Sequence, residues 1–482
     1  MKSDAIIVGS GLGGLICAWL LAKDGRQVVV LERQAKAGGC IQSYPRKGYN
    51  LDTGLHYVGG LDTDQTLYRI FNHLGLMKLP WQHLDPEGFD QITIAGETFK
   101  YAEGYDNFVE TLAQRFPSER TALQQYVKML QEADLVEFGT DRAFFDFGTN
   151  AYDYLCRMFK DPLLINVLSG SALKMELKKA SLPLFTFAHG NSSFIQSSWR
   201  LKGDGNLIVK SLADDIRAFG GEIICNAEVE ELIEKNGQLT AARCTNGETY
   251  EAQLFISDIH PAQIFGMIKE SEKLKRIFRT RMNMMENTYG AFTTSLILKP
   301  DTLPYFNHNK FVYKQANVWT FPEESHDVGG VMISCRVPET GTYARQIDLL
   351  TPMDWAQCQA WQDTKVGHRG EDYKAMKQCM AEACIDLAET VIPGLKGMID
   401  TYYTSTPLTY RDYTLTPQGS AYGVRKDCRN LVVTMLSPRT PVPNLLLTGQ
   451  NLMLHGLEGV SMTALMTCSE VLGKEKMKAI IN

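Results

Sequence analysis

One stretch near the start of the chain limits the fold more than any other. Ile6-Ile7-Val8 runs into Gly9-Ser10-Gly11-Leu12-Gly13-Gly14, and an apolar segment follows over residues 15–22. This order reads as a buried strand, a tight glycine turn and a helix, and Gln27-Val28-Val29-Val30-Leu31-Glu32 then supplies a second strand. Gly9, Gly11 and Gly14, with Gly13 between them, have dinucleotide-binding spacing: absent side chains let a pyrophosphate approach both the backbone and the helix N-terminus. Glu32 closes the second strand, where a carboxylate accepts the ribose hydroxyls of an adenosine. Glycines also end helices and permit close packing. Here the flanking strand, helix, β-branched strand and terminal acid are the context the motif requires, and the stretch predicts dinucleotide binding.

A chain of 482 residues is too long for one ordinary domain, so two domains or one discontinuous pair are expected. The formal charge is −6 and no basic tract interleaves with aromatics, which argues against a nucleic-acid partner. Eleven cysteines without a Cys-x-x-Cys pair argue against a disulfide framework and for a reducing, cytoplasmic setting. The nine histidines form no close ligand cluster in sequence, so no protein-held metal is expected. The apolar run 12–22 is the first helix of the motif and not a leader, and no run approaches the length of a membrane span. A peripheral membrane contact needs only an apolar patch assembled in the fold and stays open.

After Glu32 comes Arg33-Gln34-Ala35-Lys36-Ala37-Gly38-Gly39, in which Arg33 and Lys36 are either solvated or close to the pyrophosphate or adenosine. Gly38 and Gly39 suggest close backbone approach. Then follows Asp52-Thr53-Gly54-Leu55-His56. Together with the first glycine turn and Glu32, these blocks resemble the flavin-dependent phytoene desaturase superfamily, and most of all its carotenoid isomerase and retinol saturase (all-trans-retinol 13,14-reductase) branch. The resemblance implies an α/β fold: a Rossmann-like FAD-binding domain of the glutathione reductase and amine oxidase type, with an inserted α+β substrate domain. It places Thr53 and Gly54 near the flavin and gives His56 the Gly-x-His form of the saturase branch. By residue type alone His56 is equally an ordinary core or turn imidazole.

The same resemblance divides the chain into a discontinuous FAD-binding domain (1–75, 199–270 and 426–482) and a substrate domain (76–198 and 271–425). It gives the backbone of Val229 to the adenine, Gly449 to the FAD chain, and Gly459, Val460 and Ser461 to a helix start beside the flavin ring. Unpaired amides there stabilise negative charge on the reduced ring. His455-Gly456-Leu457-Glu458-Gly459 departs from the Pro-Gly-x-Gly form of the desaturases, which weakens phytoene as the substrate. Periodicity predicts helices over 66–75, 105–115, 121–136, 207–219 and 371–391, a hairpin over 89–101 and a small meander through Gly237, 241–245 and 250–256 with turns at Asn236-Gly237 and Asn246-Gly247. The aromatics Phe138, Phe144, Phe145, Phe147, Tyr152, Tyr154 and Phe159 either line a passage for a long apolar substrate or pack a second core.

The activity implied is that of an FAD-dependent oxidoreductase acting on carbon–carbon double bonds of a long apolar polyene or isoprenoid, as saturase, desaturase or isomerase. A saturase further needs an external electron donor, either NADPH or NADH bound transiently or another donor such as a quinone or a protein. His56 is a candidate proton donor or water positioner, Glu458 a candidate relay, and Tyr422 either closes on substrate or packs with its hydroxyl satisfied. Two alternatives are a flavin amine or small-molecule oxidase and a non-enzymatic prenyl-binding escort. The oligomeric state is open.

Overall fold

The strand Lys2–Val8 is buried on both faces, with Ala5 and Ile7 in one core and Ile6 and Val8 in another. Two-sided burial requires paired neighbours on both edges and a layer over each face, which a parallel sheet inside an α/β fold provides. In the computed structural model, which describes residues 2–134, 148–324 and 327–481, Lys2–Val8 pairs in parallel with Val28–Leu31 and Thr249–Ser257. Glu222–Ile224 extends the sheet beyond Val28–Leu31, and Leu445–Leu447 joins it in parallel at Thr249–Ser257. Val229–Lys235 and Gln238–Cys244 complete the seven strands as the antiparallel meander expected. Its turn places Asn236 and Gly237 at φ 53° and 73°, the left-handed pair that a two-residue hairpin favours.

The helices Leu12–Lys23, Asn206–Ala218 and Gly456–Leu472 pack together over one face of this sheet. Its register brings Val8, Leu31, Ser257 and Leu447 to the same edge, so Gly9, Glu32, Asp258 and Thr448 all leave the sheet at the carboxyl ends of its parallel strands. That edge is where open α/β sheets bind ligands.

A second seven-stranded sheet has the order Ile399–Ser405, Gly290–Leu298, Gln346–Met353, Gly330–Cys335, Asn309–Tyr313, Asp90–Ile94, Glu97–Tyr101. One face, carrying Ala291, Met332 and Leu350, covers an aromatic core shared with the helix Leu184–Gln196; the other packs against Glu371–Glu389. Every strand of the first sheet falls within the segments assigned to FAD binding, and every strand of the second within those assigned to the substrate. We propose this division as the two domains. A small sheet of Val58–Gly59, Ser198–Leu201 and Trp81–His83 stitches across it.

Among the described aromatics, Tyr126 packs on Phe159 and Tyr152 on Trp319, ring centroids 6.0 and 5.2 Å apart, as core. Phe138, Phe144, Phe145 and Phe147 lie outside the described residues. Among the described residues no helix is long and apolar enough to cross a membrane.

Candidate functional site

A cavity of about 1000 Å³ opens from the strand ends of the first sheet and runs under the second. Its volume lies at the upper end for small-molecule sites. Gly9, Gly11, Gly13, Glu32, Arg33 and Val229 line one end. Thr53, Gly54, His56, Glu458, Gly459 and Val460 line the middle, and Phe185, Phe194, Met332, Leu350 and Tyr422 the far end.

At the first end the glycines are required by space. A side chain on Gly11 would begin 2.4 Å from Asp258 Oδ2, and one on Gly14 2.3 Å from the Gly9 carbonyl oxygen. Glu32 is buried and braces the turn: Oε2 accepts from the Ser10 amide at 3.1 Å and its hydroxyl at 2.5 Å, and Oε1 accepts from the Gln34 amide at 2.8 Å. Its remaining lone pairs are what a ribose would use. Arg33 lies 3.8 Å from the Glu228 carboxylate and donates to the Asp412 carbonyl, so it is tethered at the cavity wall, whereas Lys36 is exposed.

Four residues expected at the cofactor do not line the cavity. Gly14 lets the first helix close on its strand; Gly38, at φ 127°, makes room for Val209; Gly449, at φ 87°, packs against Gly13; and the Ser461 hydroxyl donates to the Leu457 carbonyl within its own helix. They shape the seat from one layer behind, because a site built on backbone approach needs small residues on both sides of the approaching strands. Gly39 lines the cavity, and a side chain there would begin 3.0 Å from Gly11 Cα. This cradle of bare backbone, the Glu32 carboxylate and the N-terminus of Leu12–Lys23, which carries no side-chain cap from its N-cap Gly11, fit an FAD.

In the middle, His56 Nε2 is buried without a hydrogen-bond partner, while the His56 carbonyl accepts from Arg200 Nε at 3.3 Å. Glu458 stands in the first turn of Gly456–Leu472, Oε2 3.9 Å from where a side chain on Gly60 would begin. That helix has no side-chain cap at His455, so its first amides face the cavity unsatisfied by a cap. Of the two roles expected for Tyr422, its geometry is that of a packed ring with a satisfied hydroxyl: Oη donates to the Leu173 carbonyl at 2.6 Å and burial holds it far above the ordinary phenol range. Cys40 also lines the cavity, and burial beside Asp258 pushes its thiol up to about 11, leaving no thiolate nucleophile.

Family resemblance marks Ser257-Asp258-Ile259-His260-Pro261 as a strand exit near the flavin without giving Asp258 a role, and several other lining groups had none assigned from sequence. Asp258 stands against the glycine turn; burial and the Glu32 charge push it up to about 7, against the pull of hydrogen bonds from the Gly14 and Gly11 amides. Lys174 also faces the cavity, and burial pushes it down to about 8. His455 is pushed down to about 4 by burial and is neutral near pH 7. The helix Leu184–Gln196 contributes Thr186 and His189; its polar residues within an apolar run were the available signal. Folding also gathers Asp62, His83 and Glu103, with ligand atoms within 4.8 Å of one another, where sequence spacing showed no cluster. His83 Nε2 lies 2.6 Å from Glu103 Oε2 and its ring stacks on Trp199, while the same Glu103 oxygen accepts from the Ser198 amide at 3.3 Å, so the group is held by its own hydrogen bonds.

Comparison with known proteins shows the family and the fold. The family model for flavin containing amine oxidoreductase matches residues 12–472. The all-trans-retinol 13,14-reductase of Danio rerio is 24% identical over 97% of this chain and 86% of its own. The chloroplastic prolycopene isomerase of Daucus carota is 25% identical over 87% of this chain and 71% of its own. Wild-type putrescine oxidase bound to putrescine shares the fold at a TM-score of 0.67 and 17% identity, covering 100% of this chain and 99% of that one. The chain belongs to the flavin containing amine oxidoreductase family and is an FAD-dependent oxidoreductase.

Proposed function

We propose that this protein acts on a carbon–carbon double bond of a long apolar polyene or isoprenoid, adding, removing or relocating hydrogen. The observation that carries the reading is the continuation of the cavity beyond the cofactor seat into a chamber walled by Phe185, Phe194, Met332, Leu350 and Tyr422. Such walls hold an extended apolar chain and exclude water. The near full-length likeness to a retinol reductase and a prolycopene isomerase supports the same substrate class. A protonated amine, the substrate class suggested by the putrescine oxidase fold, would meet the Lys174 ammonium in this chamber, and like charges in a buried site repel.

FAD, when bound, supplies the two-electron chemistry. Glu32 and the glycine turn bind its adenosine and diphosphate portions, and the first amides of Gly456–Leu472 place positive dipole ends at the middle of the cavity. His56, whose Nε2 is buried without a hydrogen-bond partner, holds or releases a proton there, and Glu458, which lines the same cavity, supports that proton. NADPH or NADH docks transiently as electron donor. A surface carrying exposed Ile277 and Met284 among Lys273, Lys275, Arg276 and Arg281 gives the protein a peripheral contact with anionic lipid.

The experiment is an anaerobic titration of the purified flavoprotein with NADPH, followed by product analysis with retinol as substrate. Bleaching of the oxidised flavin band followed by formation of a dihydro product supports the reading. Peroxide release with a primary amine, and no reaction with a polyene, would replace it with the amine oxidase reading.

A further inference from the structure

Lys174 sits where an apolar chamber has little use for a charge. It ends the short turn Ala172–Lys174, and three side chains fix that backbone through successive carbonyls. Tyr422 Oη donates to Leu173 O at 2.6 Å, His455 Nε2 to Lys174 O at 3.2 Å and Tyr289 Oη to Met175 O at 2.8 Å. The ammonium is therefore aimed, not free-swinging. Nζ lies 3.7 Å from the centroid of the Phe194 ring and makes one long hydrogen bond, 3.4 Å, to Tyr57 Oη. An ammonium has three donors, and a bond of that length satisfies one of them poorly.

The charges behind it do not balance. Tyr57 Oη donates a hydrogen bond to Asp90 Oδ2 at 2.9 Å, and Asp90 Oδ1 accepts from Asn309 Nδ2 at 2.9 Å. Asn309 Oδ1 in turn accepts from Arg200 Nη2 at 2.5 Å. Asp90 and Arg200 are buried, and Asp90 is the carboxylate whose field reaches both Lys174 and Arg200. Two cations thus share one carboxylate in a dry cluster, and the cation with unused donors is the one that lines the cavity. Buried charge of this kind is stabilised by a partner of opposite sign.

We propose that Lys174 is the head-group site of the cavity and receives the carboxylate of an otherwise apolar chain, an assignment that rests on the polyene reading above. Phe194 and Tyr57 flank the head group, and the chain extends along the apolar walls. The other titratable groups packed around Lys174 leave it as the switch near neutrality: burial holds Tyr57 far up, Asp90 is raised, and His455 is down at about 4. His56, His189 and Glu458 line the same cavity.

The test is equilibrium binding of all-trans-retinoic acid and all-trans-retinol, which share a chain and differ at the head, to the FAD-loaded protein, read by quenching of tryptophan fluorescence. The wild type should bind the acid at least about tenfold more tightly than the alcohol at pH 7. That preference should shrink as pH rises past 8 and Lys174 loses its proton. Lys174→Met should abolish the preference while leaving retinol affinity in place, and Lys174→Arg should keep it without the decline at high pH. Equal affinity for acid and alcohol in the wild type, or an unchanged preference in Lys174→Met, would overturn the assignment and leave the polyene reading standing. If the Met variant does not fold, the wild-type pH series and the Arg variant decide the matter alone. Failure of both ligands to bind would overturn the assignment together with the reading beneath it.

Discussion

Asp258 should couple FAD affinity to pH. Its carboxylate takes hydrogen bonds from the Gly11 and Gly14 amides, at the N-terminus of Leu12–Lys23 where a diphosphate would also draw on backbone amides. With burial and Glu32 raising it to about 7, Asp258 is half protonated near neutrality. A bound diphosphate brings negative charge beside it, so the protonated form is the one that accepts the cofactor. Binding takes up a proton, and affinity falls as pH rises through 7, the reverse of a carboxylate held low by a cation. If only the protonated form binds, affinity should weaken about 30-fold between pH 6 and pH 8.5, or about 2 kcal/mol. The assay is FAD binding to apoprotein, followed by flavin fluorescence at constant ionic strength because salt screens such coupling. Asp258→Asn should flatten the profile and bind FAD more tightly than the wild type at pH 8.5. A flat wild-type profile, or an equal slope in the Asn variant, would refute the coupling.

His56→Ala should slow product formation about a hundredfold or more while the flavin spectrum persists, as loss of a proton donor does; if the flavin is lost as well, His56 is structural. Glu32→Ala removes the acceptor for Ser10 and Gln34 and should weaken FAD about tenfold to a hundredfold in a fluorescence titration. Unchanged affinity would remove Glu32 from the seat. The double change Ile277→Glu and Met284→Glu should lower co-sedimentation with anionic phospholipid vesicles and spare binding of FAD. Equal sedimentation would rule out that face as the membrane contact.

The first glycine turn was legible because its signal is local. An apolar strand, glycines at fixed offsets and a terminal acid lie within the span Ile6 to Glu32, and period-two and period-3.6 patterning marked the elements around it. The Val229 meander and the hairpin Asp90–Ile94 with Glu97–Tyr101 followed from the same periodicity. Tyr422 was ambiguous in sequence because the partner that decides its role, the Leu173 carbonyl, is remote in the chain. Gly14, Gly38, Gly449 and Ser461 show a similar limit: motif spacing marked small residues at the seat and did not say which faced the cavity.

What the sequence determined by itself was the glycine turn, the alternation of apolar residues and the type of most elements, since each depends on residues close together in the chain. Tertiary structure alone decided that Asp258 meets the Gly11 amide, through parallel pairing of Lys2–Val8 with Thr249–Ser257. It alone set Lys174 among Tyr57, Asp90 and Phe194 from three other segments. The physical reason is that burial, and the charge imbalance that gives a buried group its function, are properties of neighbours in space.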